Sequence, residues 1–179
     1  MDQPTIRTDR LILRPFADAD TQRYWEILTT PQVSAALYVP EGFGPERAWG
    51  QMAMWRGQFA LRGTGQWAVE EKATGRMIGR SGTHRPLRDD WPGIEIGWVL
   101  DPDRWGRGFA TEAGRASVEW AFAHHDVDGL FSVILPENAA SAAVARRLGF
   151  SIVETRVVSH FPQAPHDIWR LPRPLGPRQ

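Results

Sequence analysis

The chain predicts an α/β fold: one mixed, mostly antiparallel sheet of about seven strands, with a single parallel βαβ crossover and helices on both faces. Three observations predict it. Residues 66–83 carry the pattern of a hairpin. A period-two strand at 94–100 runs through a glycine turn into a helix at 110–125. The short, nearly all-apolar stretch 130–135 then follows that helix, as expected of a strand lying parallel to 94–100 and buried on both faces.

Taken in order, Thr8 to Phe16 holds Leu11-Ile12-Leu13 between Arg10 and Arg14 and reads as a first strand, stopped by Pro15. Asp18 to Leu28 reads as a helix capped by Asp18, with Tyr24, Trp25, Ile27 and Leu28 on its apolar side. Residues 31–44 read as irregular. Pro45 to Leu61 makes a second helix with Pro45 in its first turn; its stripe of Trp49, Met52, Ala53, Trp55 and Phe59 is expected to pack in the core. Gln66 to Glu71 and Arg76 to Thr83 pair about the turn Ala73-Thr74-Gly75, and 85–92 is a polar loop. If strand 94–100 joins this hairpin, four antiparallel strands precede the glycine turn. Helix 110–125 ends at His124-His125, where cationic side chains complement the dipole. Pro136 ends strand 130–135, and Asn138 to Leu148 is an Ala-rich helix capped by Asn138 and stopped by Gly149. Val153 to Phe161 and Asp167 to Leu171 alternate as two closing strands. The Pro-rich stretch 172–179 is expected to be a flexible or loosely docked tail. No repeat or internal boundary divides residues 1–179, which read as one domain.

Composition narrows the function. Lys plus Arg and Asp plus Glu are 21 each, so no global field favours nucleic acid or anionic lipid, and any anion site must be local. The absence of cysteine excludes disulfides, thiolate metal sites and a cysteine nucleophile. With no His pair at i, i+4 on a helix face, no metal is expected either. No apolar signal or bilayer-spanning run is evident, so a cytoplasmic protein is expected. Only two tyrosines are available as phenols.

Residues 94–113 are the stretch that carries chemistry. Asp101-Pro102-Asp103 ends the strand; Gly106 and Gly108 flank Arg107; Ala110 opens the helix with Glu112 in its first turn. A helix start leaves four amides without internal partners and adds partial positive charge, which suits a phosphate. Glycine there admits positive φ and close approach of a ligand. The same turn can equally be structural punctuation. A dinucleotide fingerprint is disfavoured, because Thr111 stands where a third small residue belongs and no further βα repeats follow.

Glu95-Ile-Gly-Trp-Val-Leu, Trp105-Gly-Arg-Gly-Phe-Ala-Thr-Glu-Ala, Asn138-x-x-Ser141-x-x-Val144 and Leu148-Gly-Phe150 together resemble the GNAT acyl-CoA N-acyltransferases, and within them the RimJ/RimL type that acetylates protein N-terminal amines. The likeness spans about residues 8–171 and implies a single GNAT-like domain using acetyl-CoA as cosubstrate, without metal. It implies that Arg104, Trp105, Gly106, Arg107, Gly108, Phe109, Ala110 and Thr111 bind the cofactor, the pyrophosphate sitting on the amides of Arg107 to Thr111 with Arg107 adding a charge-assisted contact. The pantetheine arm would run along Trp98, Val99 and Leu100, beside the splayed edge between strands 94–100 and 130–135, with a backbone N–H near Val99 polarising the thioester. Trp105 stands where the family motif usually opens with Gln or Arg, and the Tyr that many members place ahead of Leu-Gly-Phe is missing.

An amine would attack the thioester directly. Glu95 is the candidate base, on the opposite face of its strand from Ile94 and Ile96; the alternative is a surface residue on a half-exposed sheet. Ser141 is the nearest replacement for the missing phenol, and Tyr38 is a second candidate donor. Asn138 either contacts the pantetheine or only caps its helix. Arg147, with Arg146, either reaches the CoA 3′-phosphate or favours a helix C-terminus. The acceptor would be held by 31–44, 84–92 and 160–166. A protein or peptide α-amine, of reference pKa about 7.7–8.0, demands less of a base than a lysine amine near 10.4. Small amines or aminoglycosides, and a non-catalytic CoA-binding module, are the alternatives. Strand 153–161 offers an edge on which two copies could pair as a homodimer.

Overall fold

The computed structural model describes residues 2–174. Its sheet comprises β1 (Ile6–Arg7), β2 (Leu11–Arg14), β3 (Gln66–Glu71), β4 (Arg76–His84), β5 (Glu95–Leu100), β6 (Gly129–Ile134), β7 (Ser151–Val158) and β8 (Phe161–Pro172). The helices are α1 (Thr21–Leu28), α2 (Pro31–Leu37), α3 (Pro45–Arg62), α4 (Phe109–His124) and α5 (Ala139–Leu148). Strand order is β1-β2-β3-β4-β5-β6-β8-β7, and every pairing is antiparallel except β5 with β6. The predicted fold class and the crossover are present, with eight strands rather than about seven and with five antiparallel strands, not four, before the glycine turn.

Alternation sorts the sheet into two faces. On one, Leu11, Leu13, Trp67, Val69, Ile78 and Leu100 pack with Phe109, Ala113 and Ala116 of α4, and Ile94 and Ile96 with Ala121, Ala142 and Ala145 of α4 and α5. On the other, Ala68, Met77 and Val99 meet Tyr24, Ile27 and Leu28 of α1, Val33 of α2, and Met52 and Trp55 of α3. Of the α3 stripe Met52, Trp55 and Phe59 are core, as expected, but Ala53 and Trp49 are exposed, Trp49 Nε1 donating to Asp18 at 2.9 Å.

Several boundaries differ from the sequence reading. Segment 31–44 is not wholly irregular: Pro31 opens α2, and Tyr38 closes it with a left-handed φ of 50°. Only Val33 of α2 is buried, too little apolar periodicity to betray a helix of seven residues. The expected first strand narrows to β2, and a further short strand, β1, precedes it across a turn at Thr8 whose amide donates to Leu11 O. The first closing strand is shifted, β7 starting at Ser151 and ending at Val158, and the second is longer, β8 taking in Phe161; β8 lies between β6 and β7, leaving β7 at the edge with Ile152, Val153 and Val157 exposed. Of the expected tail, Pro172 belongs to β8 and Arg173 is docked, its Nε donating to Val127 O at 2.8 Å. Residues 175–179 lie outside the described ones. Among the described residues no helix is long and apolar enough to cross a membrane.

The N-terminal strands are anchored to the start of α4 by one carboxylate. Glu112 Oε1 accepts from the Thr8 hydroxyl at 2.6 Å and the Arg10 amide at 2.8 Å, and Oε2 accepts from Arg10 Nε at 2.7 Å. Burial works against ionisation, but these hydrogen bonds outweigh it and hold the carboxyl below its usual range. A carboxyl depressed in the folded state stabilises above its unfolded pKa, about 4.3, and the contribution is lost as pH falls through the folded value. Glu112→Gln is therefore expected to cost about 1–3 kcal/mol at neutral pH. In urea titrations the gap between wild type and variant should narrow as pH falls below about 4.3; a pH-independent gap would contradict the assignment.

Candidate active site

β5 and β6 share a single register pair, Glu95 with Phe131, next to which the Phe131 amide donates to Ile94 O at 2.9 Å. Beyond that rung the strands part. Asp101 donates its amide to Ile78 O, towards β4, whereas Ile94 O faces β6. Alternation between these two points turns the main-chain groups of Trp98 and Leu100 to the gap and those of Val99 to β4. Near Val99, it is thus the neighbouring amides that are available to a ligand.

The gap opens into a cleft of about 1560 Å3 between the start of α4, α5 and α2. Trp98, Val99, Leu100, Arg104, Trp105, Gly106, Gly108, Phe109, Ala110, Thr111, Asn138, Ser141 and Arg147 all line it. Gly106 and Gly108 have φ of 73° and 80°, and no side chain caps the first turn of α4, so its leading amides are left to a ligand. Space for a Cβ at Gly106 is open. Trp105 turns its indole back on the strand end, Nε1 donating to Leu100 O at 2.8 Å. It braces the turn against β5, a structural task needing neither Gln nor Arg.

The charges of the turn are arranged differently from the expectation. Arg107 does not line the cleft: its guanidinium lies 3.8 Å from Glu71 Oε1 and over the Phe109 ring at 5.2 Å. Glu71, 4% exposed, also accepts from Arg104 Nε at 3.1 Å. Burial pushes its carboxyl up, but hydrogen bonds from Thr74 and Arg104 win and hold it low. Arg10, which the sequence did not single out, supplies the guanidinium at the turn. It lines the cleft, donates to Arg107 O at 2.9 Å and lies over the Phe109 ring at 4.6 Å. Glu112, noted only as a first-turn acid, was the one local hint of a basic partner.

On α5, Asn138 accepts from the Ser141 amide at 3.0 Å and so is a helix cap that also faces the cleft. The two arginines divide: Arg147 lines the cleft, while Arg146 lies over the Trp169 ring at 5.3 Å. His124 stacks on Trp120 at 3.5 Å, and His125 sits 3.1 Å from Gly63 O, its imidazolium disfavoured first by burial. Both are accounted for by packing. Among the described residues no group of three or more His, Cys, Asp or Glu is arranged to hold a metal ion.

Glu95 lies on the opposite face from the α4 and α5 side, at the rung where the cleft closes. His84 of β4 is its cross-strand partner, with Nδ1 3.3 Å from Glu95 Oε2. β4 runs one residue past the expected end at Thr83, and that residue is His84. Carrying the alternation of Arg80 and Gly82 one step further would have found it. Its ring meets Trp55 edge-on at 4.9 Å and Trp91 at 5.8 Å, and Trp91 in turn meets His160 at 6.3 Å. Burial, then Arg88, lowers the His160 pKa and favours neutral imidazole. Tyr38 stands 6.0 Å from Phe161 and 6.3 Å from His166. Segments 31–44, 84–92 and 160–166, expected to hold the acceptor, thus converge on the side of the sheet that Glu95 faces.

The family model for the acetyltransferase (GNAT) domain matches residues 10–151. The chain belongs to the GNAT acetyltransferases. An acetyltransferase from Agrobacterium tumefaciens is 33% identical, with a TM-score of 0.81 over 96% of this chain and 95% of that one. The N-acetyltransferase YoaA of Bacillus subtilis is 26% identical over 147 residues, 82% of each chain. The ribosomal L7/L12 alpha-N-protein acetyltransferase RimL, solved with coenzyme A, shares the fold at 16% identity, with a TM-score of 0.78 over 94% of this chain and 98% of that one. This GNAT enzyme is an acyl-CoA-dependent acetyltransferase: acetyl-CoA is its cosubstrate and an amine its acceptor.

Proposed function

We propose that the whole chain is one acetyltransferase domain that moves the acetyl group of acetyl-CoA to the N-terminal α-amine of a protein or peptide. The pyrophosphate would rest on the leading amides of α4, with Arg10 beside it. The pantetheine arm would follow Trp98 and Leu100 towards the apex of the gap. Glu95 stands two strand positions, about 6.6 Å, from Gly97, near where the thioester would arrive from one side and the amine from the other.

The neutral amine attacks the thioester carbonyl, a C–N bond forms, and collapse of the tetrahedral intermediate breaks the C–S bond and releases the CoA thiolate. The ammonium proton leaves towards Glu95, which His84 orients. Main-chain amides at the gap stabilise the oxyanion. The Ser141 hydroxyl hydrogen-bonds the departing sulfur.

The pairing of one carboxylate with His84 carries this reading. A carboxylate–imidazole pair is a modest base, matched to an α-amine that is about a tenth neutral at pH 7 rather than to a lysine. The shared fold of the RimL α-N-protein acetyltransferase supports it. The test is acetyl-CoA-dependent thiol release over N-terminal peptides, lysine peptides, polyamines and aminoglycosides. We expect release with α-amines. Release confined to lysine peptides, polyamines or aminoglycosides would replace this acceptor class.

A further inference from the structure

Around the His84–Glu95 pair, hydrogen-bond donors outnumber acceptors. Among the described residues, seven buried side-chain nitrogen and oxygen atoms have no partner. Four of them, Trp55 Nε1, Arg80 Nε, Arg88 Nη1 and Trp91 Nε1, belong to the two tryptophans beside His84 and the two arginines that cover them, and all four are N–H groups; Arg80 also donates through Nη1 to Gln66 at 2.9 Å. Trp55 and Trp91 touch the His84 ring directly. Arg80 lies over Trp55 at 5.4 Å and Arg88 over Trp91 at 5.7 Å. Trp55 is only 5% exposed. A buried donor left without an acceptor bears its desolvation cost in full, so four in one place ask for a ligand rich in acceptors.

The charges agree. Beside two guanidiniums the site holds Glu95, already engaged with His84, and Asp90, which accepts from the Ser159 amide at 2.6 Å and hydroxyl at 2.9 Å. Neither is free to balance an added cation. A polyamine or an aminoglycoside would bring its further charges against Arg80 and Arg88. An anionic group is attracted there, and the same guanidiniums favour the neutral, nucleophilic form of a nearby amine.

We infer that the acceptor carries a carboxylate a few bonds from its reactive nitrogen, received by Arg80, Arg88, Trp55 and Trp91 while the amine faces Glu95. This rests on the acceptor site proposed above and adds the charge of the substrate to it. The carboxylate can come from an acidic side chain at the first position of a peptide, or from the α-carboxylate of a free amino acid.

Matched pairs separate these sources: an Asp-Ala-Ala peptide against Asn-Ala-Ala, and alanine against alaninamide, assayed by thiol release with the full chain. The acid member of at least one pair should have the higher kcat/KM by about tenfold or more, the effect of a charge-assisted hydrogen bond. In Arg88→Gln and Arg80→Gln that ratio should fall towards one. A preference within the alanine pair alone would uphold the carboxylate and overturn the peptide acceptor. Equal rates within both pairs, with peptides acetylated, would overturn the carboxylate and leave the peptide acceptor standing. If no amine is acetylated, calorimetry of N-acetylaspartate against N-acetylasparagine on the CoA-saturated protein decides: tighter binding of the acid upholds the inference, and equal or absent binding overturns it.

Discussion

Glu95→Gln lowers kcat by about 10²-fold or more, the scale of a positioned proton acceptor, and leaves acetyl-CoA affinity unchanged. The amide is isosteric and can still hydrogen-bond His84, so the fold and the acceptor pocket persist; what it loses is the capacity to take a proton. Affinity for the cosubstrate should hold because Glu95 does not line the cleft. His84→Gln should have a smaller effect, since it acts through the carboxylate 3.3 Å away. For the same reason, adding His84→Gln to Glu95→Gln should slow the enzyme little further, as two residues working as a unit are not additive. Single-turnover rates with saturating acetyl-CoA measure this directly, and an unchanged rate in Glu95→Gln removes Glu95 from the chemistry.

Gly79→Ala has the largest expected effect on stability. Gly79 has φ of 151°, and a Cβ there would lie 2.1 Å from Val99 O and 2.8 Å from Leu100 Cα. Both are backbone atoms of β5, which no side-chain rotation can relieve. β4 and β5 must separate, and the strained conformation adds its own cost, together about 3 kcal/mol or more. For a chain of this length that corresponds to a fall in melting temperature of about 6–12 °C. Gly75, at φ of 65° with open space around it, is the control. Gly75→Ala should cost only about 1 kcal/mol, from the conformation alone. Equal losses at the two sites would mean that the approach of β4 to β5 is not limiting. Because Val99 and Leu100 also line the cleft, Gly79→Ala should weaken acetyl-CoA binding, whereas Gly75→Ala should not.

What could be read from the sequence was whatever is encoded over neighbouring residues. The alternation of Ile94, Ile96 and Trp98, the paired glycines and the Asn138 cap are local signals, and the cofactor-side residues drawn from them line one cleft, Arg107 excepted. The misses are non-local. Arg10 reaches the glycine turn only because β2 delivers it to Glu112, 102 positions away. His84 meets Glu95 through the register of β4 on β5, which no period within either strand reveals. The place of Arg107 between two glycines does not reveal that the buried Glu71, on a distant strand, lies 3.8 Å from its guanidinium. Helix α2 failed to register because one buried valine is no pattern.

The single rung between β5 and β6 makes the sheet two panels rather than one. One panel is β1 to β5, the other β6, β8 and β7, and α4 bridges them. Along the seam, Trp98 and Leu100 present backbone groups to no strand. A pantetheine arm, with amides of its own, is chemically a substitute for the absent rungs. On the placement proposed above, acetyl-CoA would act as a removable structural member. At a hundredfold excess over its dissociation constant it should add about 2.7 kcal/mol to folding stability. Spent CoA keeps the same arm and splints the seam almost as well, so product release must undo that support before a new cycle begins.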